Sequence, residues 1–404
     1  MTKVFTQYEL NELETVDAEG HYVTLRNGSE RRYLDFNSGY WCVPLGHRNR
    51  EVRSVFDKGY YARPFGSTNP HVEKFAETLC RLTNGSKVLF STTGSEAVDD
   101  AIRLAWQSRA RDNLCNRGVK YVVSLKGGYH GSTGLALYVD GFRGYDSYLP
   151  LVSEDMKSHF SVKLPDPLKF KGDLEDTLDE ELNKREIDRS KIASLIFEPV
   201  MGARGAVSMP DKYIRLFEKL QRDGVVLIAD EVSTGLGRTG KMFGYEHYDL
   251  QPDMIVLGKG ITNGEFPFAV SVVNNRIMQG IEDSQDSDYG KYLYGHTYSG
   301  HPTGSMMASK VLEIIQRDSL VDRVREKGEY LTEQLNREGL AVRGKGLFLG
   351  IEFENSKKAR EIQIRLMEQG ISTNSEGDTL MVVPPYTISY DELDLFVRNL
   401  REVI

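Results

Sequence analysis

Short apolar runs rich in β-branched residues recur along the chain, and a segment with helical spacing follows each of them. The runs are residues 87–90, 121–124, 194–197, 225–229, 254–257 and 269–273. Their length suits buried strands, and strands that alternate with helices are typical of a mostly parallel sheet. The pattern therefore predicts an α/β fold.

The pattern of apolar and polar residues changes near residue 303, where longer amphipathic segments replace the alternation of short strands and helices. Predicted helices occupy residues 305–317, 321–337, 357–369 and 391–403, and a predicted strand occupies 347–353. They indicate a second, smaller α+β domain, on which the strand-like pieces at 22–25 and 32–36 are expected to pack. We therefore expect an N-terminal segment (1–45), a large domain (46–302) and a small C-terminal domain (303–404).

Composition and charge exclude several classes of protein. The 404 residues carry a net charge of −8, which gives no general attraction to nucleic acid or anionic lipid. No apolar run approaches the roughly 20 residues needed to span a bilayer, and the N-terminus lacks the apolar stretch of a signal peptide. Cys42, Cys80 and Cys115 show neither disulfide nor zinc-site spacing. We expect a cytoplasmic protein with no metal site.

The most specific chemical pattern joins an acid and a lysine that follow two successive predicted strands. Asp230 lies in the run IADEV (228–232), and Lys259 follows the run PDMIVLG (252–258). Strands of an open α/β sheet present their carboxyl ends to one ligand-binding crevice, so both side chains can reach the same site. Taken singly, such a lysine is usually a solvated surface group and such an acid usually caps a helix. The pair in this order is far more specific.

This order of elements resembles the class III aminotransferases of fold type I, which depend on pyridoxal 5'-phosphate (PLP). In that family the lysine forms a Schiff base with the cofactor, and the acid pairs with the pyridine nitrogen so that the ring withdraws electrons. The resemblance implies that Lys259 and Asp230 are catalytic. It covers roughly residues 20–400 and implies a large PLP-binding domain with a mostly parallel sheet, plus a smaller α+β C-terminal domain.

Two glycine-containing segments match cofactor-binding segments of the family. Gly94 and Ser95, in FSTTGSEA (90–97), match the phosphate-binding turn, where exposed N–H groups at a helix start favour an anion. An ordinary helix cap is the alternative role for Ser95. Tyr129, in GGYHGST (127–133), matches the aromatic residue that stacks on the pyridine ring, and His130 lies beside it.

Further cofactor positions follow from the same resemblance. Glu198 matches a carboxylate near the cofactor, with a structural salt-bridge partner as the alternative. Val232 and Ser233 come directly after the acid of the site, and Ser233 stands where many members carry a glutamine. Thr297, in GHTYSGHP (295–302), matches a threonine that reaches the phosphate bound by the neighbouring subunit. The resemblance therefore implies a homodimer with shared active sites.

An aromatic pair near the N-terminus matches the wall of the substrate pocket. Tyr40 and Trp41, in DFNSGYWCVPLGH (35–47), align with the aromatic residues of ω-amino-acid and amine aminotransferases. Taken without the resemblance, an aromatic pair is more often plain core.

The substrate side also departs from the family. Many members bind the α-carboxylate of the donor with an arginine, and Met381 stands at the matching place. The ω branch uses an arginine a few residues earlier, where this chain has Asn374, and Ala203 replaces the glutamate that pairs with it. Arg204, beside Ala203, is the residual candidate to bind a carboxylate.

These matches predict a class III aminotransferase that moves an amino group from a small-molecule donor to a carbonyl acceptor. A bidentate arginine is the favoured receptor for a carboxylate, and the matching positions lack one. We therefore expect an aldehyde or ketone acceptor from biosynthetic or natural-product metabolism, without an ordinary α-carboxylate. Two alternatives stay open: an aminomutase of the glutamate-1-semialdehyde type, and a PLP-binding regulatory protein without turnover.

Overall fold

A computed structural model describes residues 13–61, 68–109, 119–142, 159–283 and 295–404. Its strands are β1 (Glu14–Glu19), β2 (Tyr22–Asn27), β3 (Ser29–Asp35), β4 (Lys87–Ser91), β5 (Tyr121–Leu125), β6 (Ser161–Leu164), β7 (Ile192–Phe197), β8 (Val200–Met201), β9 (Val207–Ser208), β10 (Val226–Asp230), β11 (Met254–Leu257), β12 (Ala269–Val273), β13 (Ala341–Lys345), β14 (Phe348–Glu352), β15 (Ile371–Ser372), β16 (Asn374–Glu376) and β17 (Thr379–Val382).

Helices lie between the strands, and one ends the described chain. They span Ser38–Trp41, Arg50–Arg53, Pro70–Thr83, Gly94–Ser108, Gly134–Val139, Leu174–Lys184, Asp211–Arg222, Asn275–Asp283, Pro302–Arg317, Leu320–Arg337, Ser356–Glu368 and Tyr390–Val403. Short 3-10 turns span Phe56–Lys58, Arg189–Lys191, Gly244–Tyr248 and Lys259–Thr262. None of the helices in the described ranges has the length and apolar character needed to cross a membrane.

A seven-stranded sheet forms the centre of the fold, in the order β4-β12-β11-β10-β7-β5-β6. Neighbouring strands are parallel except at β12, which is antiparallel to both β11 and β4. Every residue of β7, β10, β11 and β12 is buried. The predicted α/β fold with a mostly parallel sheet is confirmed.

Packing on both faces explains why the central strands are continuously apolar. Along β10, Val226 and Ile228 join the buried cluster of helix Gly94–Ser108, whereas Leu227 and Ala229 join the cluster of helix Asp211–Arg222. Successive side chains of a strand point to opposite faces, so both sets must be apolar when helices cover both faces. This is why the six apolar runs of the sequence are all strands of this sheet.

One strand of the central sheet escaped the sequence analysis. β6 lies at the sheet edge, and Lys163 interrupts its apolar residues. The Lys163 amine donates to the hydroxyl of Ser124 on β5 at 2.8 Å, so a polar cross-strand contact replaces part of the apolar pattern. A four-residue strand of this composition gives too weak a periodic signal to be recognised.

Two smaller sheets contain the remaining long strands. One is antiparallel, in the order β13-β14-β17-β16, and the other is β1-β2-β3-β15. β15 pairs in parallel with β3, with Ile371 opposite Leu34 and Ser372 opposite Asp35. The first described strands are therefore tied to residues near the carboxyl terminus. The boundaries after residues 45 and 302 stay predictions.

The stacked rings of Phe36 and Phe396 join the end of β3 to the last helix. Their centroids are 4.4 Å apart, and neither residue is exposed. Phe396→Ala is therefore expected to lower the free energy of unfolding by about 3–5 kcal/mol, because it leaves a cavity beneath Phe36. Urea denaturation followed by circular dichroism measures the change.

Tyr390→Ala is the matched control on the same helix. Tyr390 is 44% exposed, so its removal should cost less than about 1 kcal/mol. Equal losses in the two variants would contradict the importance of the Phe36–Phe396 contact.

Candidate active site

Asp230 and Lys259 lie on adjacent strands at the same edge of the central sheet. Asp230 is the last residue of β10, and the parallel register places it opposite Val256 of β11. β11 ends at Leu257, and Lys259 begins a 3-10 turn with a positive φ of 43°. A non-glycine residue rarely adopts this conformation, and such strain concentrates at functional sites.

The amine of Lys259 has two close neighbours. Nζ donates a hydrogen bond to Ser233 Oγ at 2.5 Å and lies 4.6 Å from the centre of the Trp41 ring. Burial lowers the pKa of the amine, and Cys42, Glu198, Asp230 and Glu376 oppose that shift. A lowered pKa favours the neutral amine, which is the nucleophilic form.

The Asp230 carboxylate is buried and held from two sides. Its Oδ2 lies 2.8 Å from His130 Nδ1, and its Oδ1 accepts from the Val232 N–H at 3.2 Å. Because an ionised carboxylate only accepts hydrogen bonds, His130 carries its proton on Nδ1 in this arrangement. The Nε2 atom of His130 is buried and has no partner among the described residues.

Glu198 anchors the backbone of two loops beside the site. Its carboxylate accepts from the N–H groups of Tyr129 and Gly202, each at 3.0 Å. Burial raises the pKa of Glu198 to about 7. The electrostatic interaction with His130 opposes this rise, and the charge of Asp230 adds to it. In the described part of the chain its partners are backbone donors, so the salt-bridge alternative has no support there.

Helix Gly94–Ser108 begins next to the strand ends. Thr93 caps it by accepting from the Glu96 N–H at 3.2 Å, so Ser95 is not the cap. Ser95 Oγ instead accepts from the Ser132 N–H at 3.2 Å. A Cβ added to Gly94 would lie 3.0 Å from Val232 Cγ1, so glycine lets the helix start approach the strand end.

Tyr40 and Trp41 belong to a helical turn of unusual hand. Ser38, Gly39, Tyr40 and Trp41 all have positive φ, between 46° and 70°. Left-handed turns cost roughly 1–2 kcal/mol for each residue other than glycine. The two aromatic rings stack with centroids 5.6 Å apart, and Trp41 is buried while Tyr40 is 41% exposed.

Asp35 holds this left-handed turn in place. Its two carboxylate oxygens accept from the N–H groups of Asn37 at 2.9 Å and Gly39 at 2.8 Å. His47 Nε2 lies 2.8 Å from Asp35 Oδ2, and Ser38 Oγ donates to the Val383 carbonyl at 2.5 Å. These contacts fix the aromatic pair beside Lys259.

The remaining candidate substrate residues differ in their burial and in their hydrogen-bond partners. Met381 is fully buried in a small cluster with Trp41 and Phe348, so it supports the aromatic wall from behind. Arg204 Nε donates to Asp166 Oδ2 at 2.9 Å, and this ion pair occupies its charge. Asn374 Nδ2 donates to Glu376 Oε1 at 2.8 Å.

Thr297 lies apart from the other candidates. Thr297 is exposed, and its backbone carbonyl accepts a hydrogen bond from Tyr61 Oη at 2.5 Å. Within the described ranges, no hydrogen bond joins it to Lys259 or Asp230.

Glu376 was not recognised in the sequence. Burial raises the pKa of its carboxyl group to about 7, and the Asn374 hydrogen bond and the charge of Lys259 oppose the rise. Its place follows only from the structure: Gly377 and Asp378 form a turn, and the pairing of β16 with β17 puts Glu376 on the same face as Asn374.

A mostly parallel α/β sheet with a lysine and an acid at its carboxyl edge defines a PLP-dependent transferase of fold type I. Comparison with known proteins makes the family definite. The family described as aminotransferase class-III matches residues 6–404, and the chain belongs to this family of PLP-dependent enzymes.

Curated relatives and solved structures agree with this assignment. An adenosylmethionine-8-amino-7-oxononanoate aminotransferase from Anoxybacillus flavithermus is 30% identical over 99% of this chain and 93% of its own. A vanillin aminotransferase from Capsicum annuum is 30% identical over 97% of this chain and 91% of its own. The PLP-bound structure of an amine transaminase from an uncultivated Pseudomonas species has a TM-score of 0.87 at 28% identity, covering 100% of this chain and 97% of that chain.

The residues at the site fit PLP. Lys259 offers an amine, Asp230 offers a carboxylate on the next strand, and the helix that begins at Gly94 offers N–H groups for a phosphate. The buried, unpartnered Nε2 of His130 is a polar atom left over in the described part of the site. In the described residues no group of His, Cys, Asp and Glu could hold a metal ion.

Lys259→Ala should abolish both turnover and the visible absorbance of the cofactor in the purified holoenzyme, because the covalent link needs this amine. Borohydride reduction followed by peptide mass spectrometry should place the cofactor on Lys259 in the wild type. Lys241→Ala is the control, since Lys241 is exposed, and it should keep both properties. Reductive trapping on another lysine would show that the anchor is misassigned.

Proposed function

We propose that this enzyme moves an amino group from an amine donor to an aldehyde or ketone, and that at least one substrate lacks an ordinary α-carboxylate. The observation that carries the proposal is that the described residues at the positions matching the family's carboxylate-binding groups offer no unpaired guanidinium. The buried Arg238 nearby is held by the carbonyl groups of Leu347 and Pro384 and lies over the Tyr386 ring. Met381 and Asn374 are uncharged, and Arg204 is paired with Asp166. A buried carboxylate without a partner costs several kcal/mol or more.

The relatives' names support substrates of this kind. A vanillin aminotransferase and an amine transaminase are named for an aldehyde and for amines. Vanillin has no carboxylate. A biosynthetic or natural-product acceptor fits the same chemistry, and an aminomutase would differ by forming product from one substrate without an added acceptor.

The proposed roles of the site residues follow from their contacts. When bound, PLP withdraws electrons from the substrate carbon that carries the amine. The neutral Nζ of Lys259 removes the proton from that carbon of the donor. In the second half of the cycle it delivers a proton to the carbonyl-derived carbon of the acceptor, and Ser233 Oγ orients Nζ. Asp230 would pair with the pyridine nitrogen of the cofactor, and its contacts with His130 and the Val232 N–H fix the position of its carboxylate.

The neighbouring residues position these groups. Glu198 holds the Tyr129 backbone, so that the tyrosine ring can stack on a planar cofactor. Gly94 and Ser95 are proposed to hold the phosphate at the helix start. Tyr40 and Trp41 are proposed to exclude water and to bind the apolar part of the substrate.

A pair of donors that differ only by the carboxylate tests the substrate proposal. Phenylethylamine should give a kcat/KM at least about tenfold above that of phenylalanine, because the latter must bury an unpaired charge. The acceptors phenylacetaldehyde and phenylpyruvate should show the same order. Steady-state kinetics of each half-reaction measures both ratios.

Arg204→Ala separates the two ways in which a carboxylate could be bound. If the proposal holds, the variant keeps the activity with phenylethylamine and phenylacetaldehyde. Efficient turnover of phenylalanine and phenylpyruvate, unchanged in Arg204→Ala, would refute the carboxylate argument.

We also propose that the enzyme is a homodimer in which Thr297 serves the active site of the partner. The exposed Thr297 is surrounded by exposed aromatic rings, with Tyr60, Tyr61 and Tyr298 at 65%, 42% and 57% exposure. Exposed apolar patches of this kind mark interaction surfaces. The Tyr61 and Tyr298 rings meet edge to face with centroids 5.5 Å apart, so they form one continuous patch.

Thr297→Ala should weaken cofactor retention, as measured by absorbance after gel filtration. Mixing it with Lys259→Ala through partial unfolding and refolding should restore activity, because one site of the hybrid dimer then has both Lys259 and Thr297. Each variant alone is the control. Light scattering that gives a monomer at micromolar concentration would contradict the shared site.

A further inference from the structure

Glu376 lies on a tight hairpin at the edge of the small antiparallel sheet. β16 and β17 pair with Asn374 opposite Met381 and Glu376 opposite Thr379, and Gly377, with a φ of 58°, begins the connecting turn. Alternate residues of a strand share a face, and directly paired residues of antiparallel strands do too. Asn374, Glu376 and Met381 therefore share one face of the hairpin.

That face is turned toward the candidate active site. Met381 packs in the buried cluster that contains Trp41, and the Trp41 ring lies 4.6 Å from Lys259 Nζ. The charge of Lys259 opposes the rise in the pKa of Glu376, and Glu376 opposes the fall in the pKa of Lys259. Ser375, on the opposite face, points away and donates to Gln363 of helix Ser356–Glu368 at 2.7 Å.

The Glu376 carboxyl group has spare hydrogen-bonding capacity. Its Oε1 accepts from Asn374, and Oε2 accepts no hydrogen bond from the described residues. Burial disfavours the charged form, and the cation that favours it is Lys259. Lys259 is the proposed cofactor anchor, so its amine is not a lasting counter-charge for Glu376 in the holoenzyme.

The sign of the charge is the informative feature. Asn374 and Met381 stand on this hairpin face where related enzymes carry an arginine that binds a carboxylate. Here the hairpin itself carries an acid, Glu376. Arg343, on the same face of the sheet, is engaged by Thr379 and Glu352. Stacked aromatic rings lie beside the amine of Lys259. A carboxylate together with aromatic faces is the combination that binds an ammonium group.

We propose that Glu376 is a specificity-determining residue that binds a second, positively charged amino group of the donor, so that the enzyme prefers linear diamines. The inference rests on the proposed amine-to-carbonyl transfer and names its donor class. The donor R–CH2–NH2 becomes R–CHO while the acceptor R'–CHO becomes R'–CH2–NH2, so amine and carbonyl oxygen are exchanged without an outside oxidant. The second amine stays on R and keeps its charge.

Three donors of equal chain length provide the test in the holoenzyme. They are the five-carbon diamine, the five-carbon monoamine and the five-carbon ω-amino acid, which differ only in the group at the far end. With an aldehyde acceptor, the diamine should exceed the monoamine in kcat/KM by about tenfold to a hundredfold, the range expected for a charged hydrogen bond. The ω-amino acid should be the poorest donor, because its carboxylate would face Glu376.

Glu376→Gln keeps the size of the side chain and removes its charge. It should bring the kcat/KM of the diamine down to that of the monoamine within the same variant, so the readout is the ratio of the two donors. Glu376→Asp should retain part of the preference. Glu354→Gln is the matched control, because Glu354 is an exposed acid in the same part of the chain and its loss changes the net charge equally.

A binding measurement without turnover gives a second readout. Pentylguanidine carries a fixed positive charge and no transferable amine, so it should inhibit the monoamine reaction competitively, with an inhibition constant at least about tenfold higher in Glu376→Gln than in wild type. Equal use of diamine and monoamine by wild type, or a diamine preference that survives Glu376→Gln, would overturn the inference. Failure of every amine donor would instead overturn the proposed function.

Discussion

The parallel pairing of β10 with β11 is the contact on which the rest of the site depends. The register sets Ile228, Ala229 and Asp230 opposite Met254, Ile255 and Val256, so the two strands end together. A slip of one residue would turn every side chain of a strand to the other face. That slip is prevented by the core, since the two faces of β10 pack in different apolar clusters. The placement of Asp230 and the Lys259 turn is therefore set by hydrophobic packing, and polar contacts refine it.

The opposite wall of the site is held in a different way. The Ser38–Trp41 turn is unfavourable in isolation. It is stabilised by backbone N–H groups that donate hydrogen bonds to the carboxylate of a buried acid, Asp35. Asp35 is itself fixed because it ends β3, which pairs with β15 near the carboxyl terminus. The aromatic wall thus depends on contacts between the two ends of the chain. A rigid sheet edge facing a strained, externally supported turn is an arrangement that pre-organises a site.

The sequence allowed the sheet to be predicted because buried parallel strands are continuous apolar runs of β-branched residues, as in β11 and β12. It did not reveal β6, where Lys163 breaks the run, or the left-handed turn, because tyrosine and tryptophan have no local preference for positive φ. Site residues that follow strand ends were identifiable. Glu376 could not be identified, because it lies on a three-residue strand, and the face on which its side chain lies is set only by the pairing of that strand with β17. Thr93 replaced Ser95 as the helix cap for a similarly local reason: only Thr93 is followed three residues later by a glutamate.

The departures on the substrate side form one consistent set. An arginine at position 381 would place its guanidinium in an apolar cluster with Trp41, Val200 and Phe348, where no described acid is a member. Burying a charge without a partner is unfavourable, so methionine there and a closely packed aromatic wall belong together. The arginine on this face of the sheet, Arg343, is bound to Thr379 and Glu352, so the acid at position 376 has no ion pair with it among the described residues. A carboxylate site on this hairpin would therefore require changes at Asn374, Glu376 and Met381 together, because these three residues share one face.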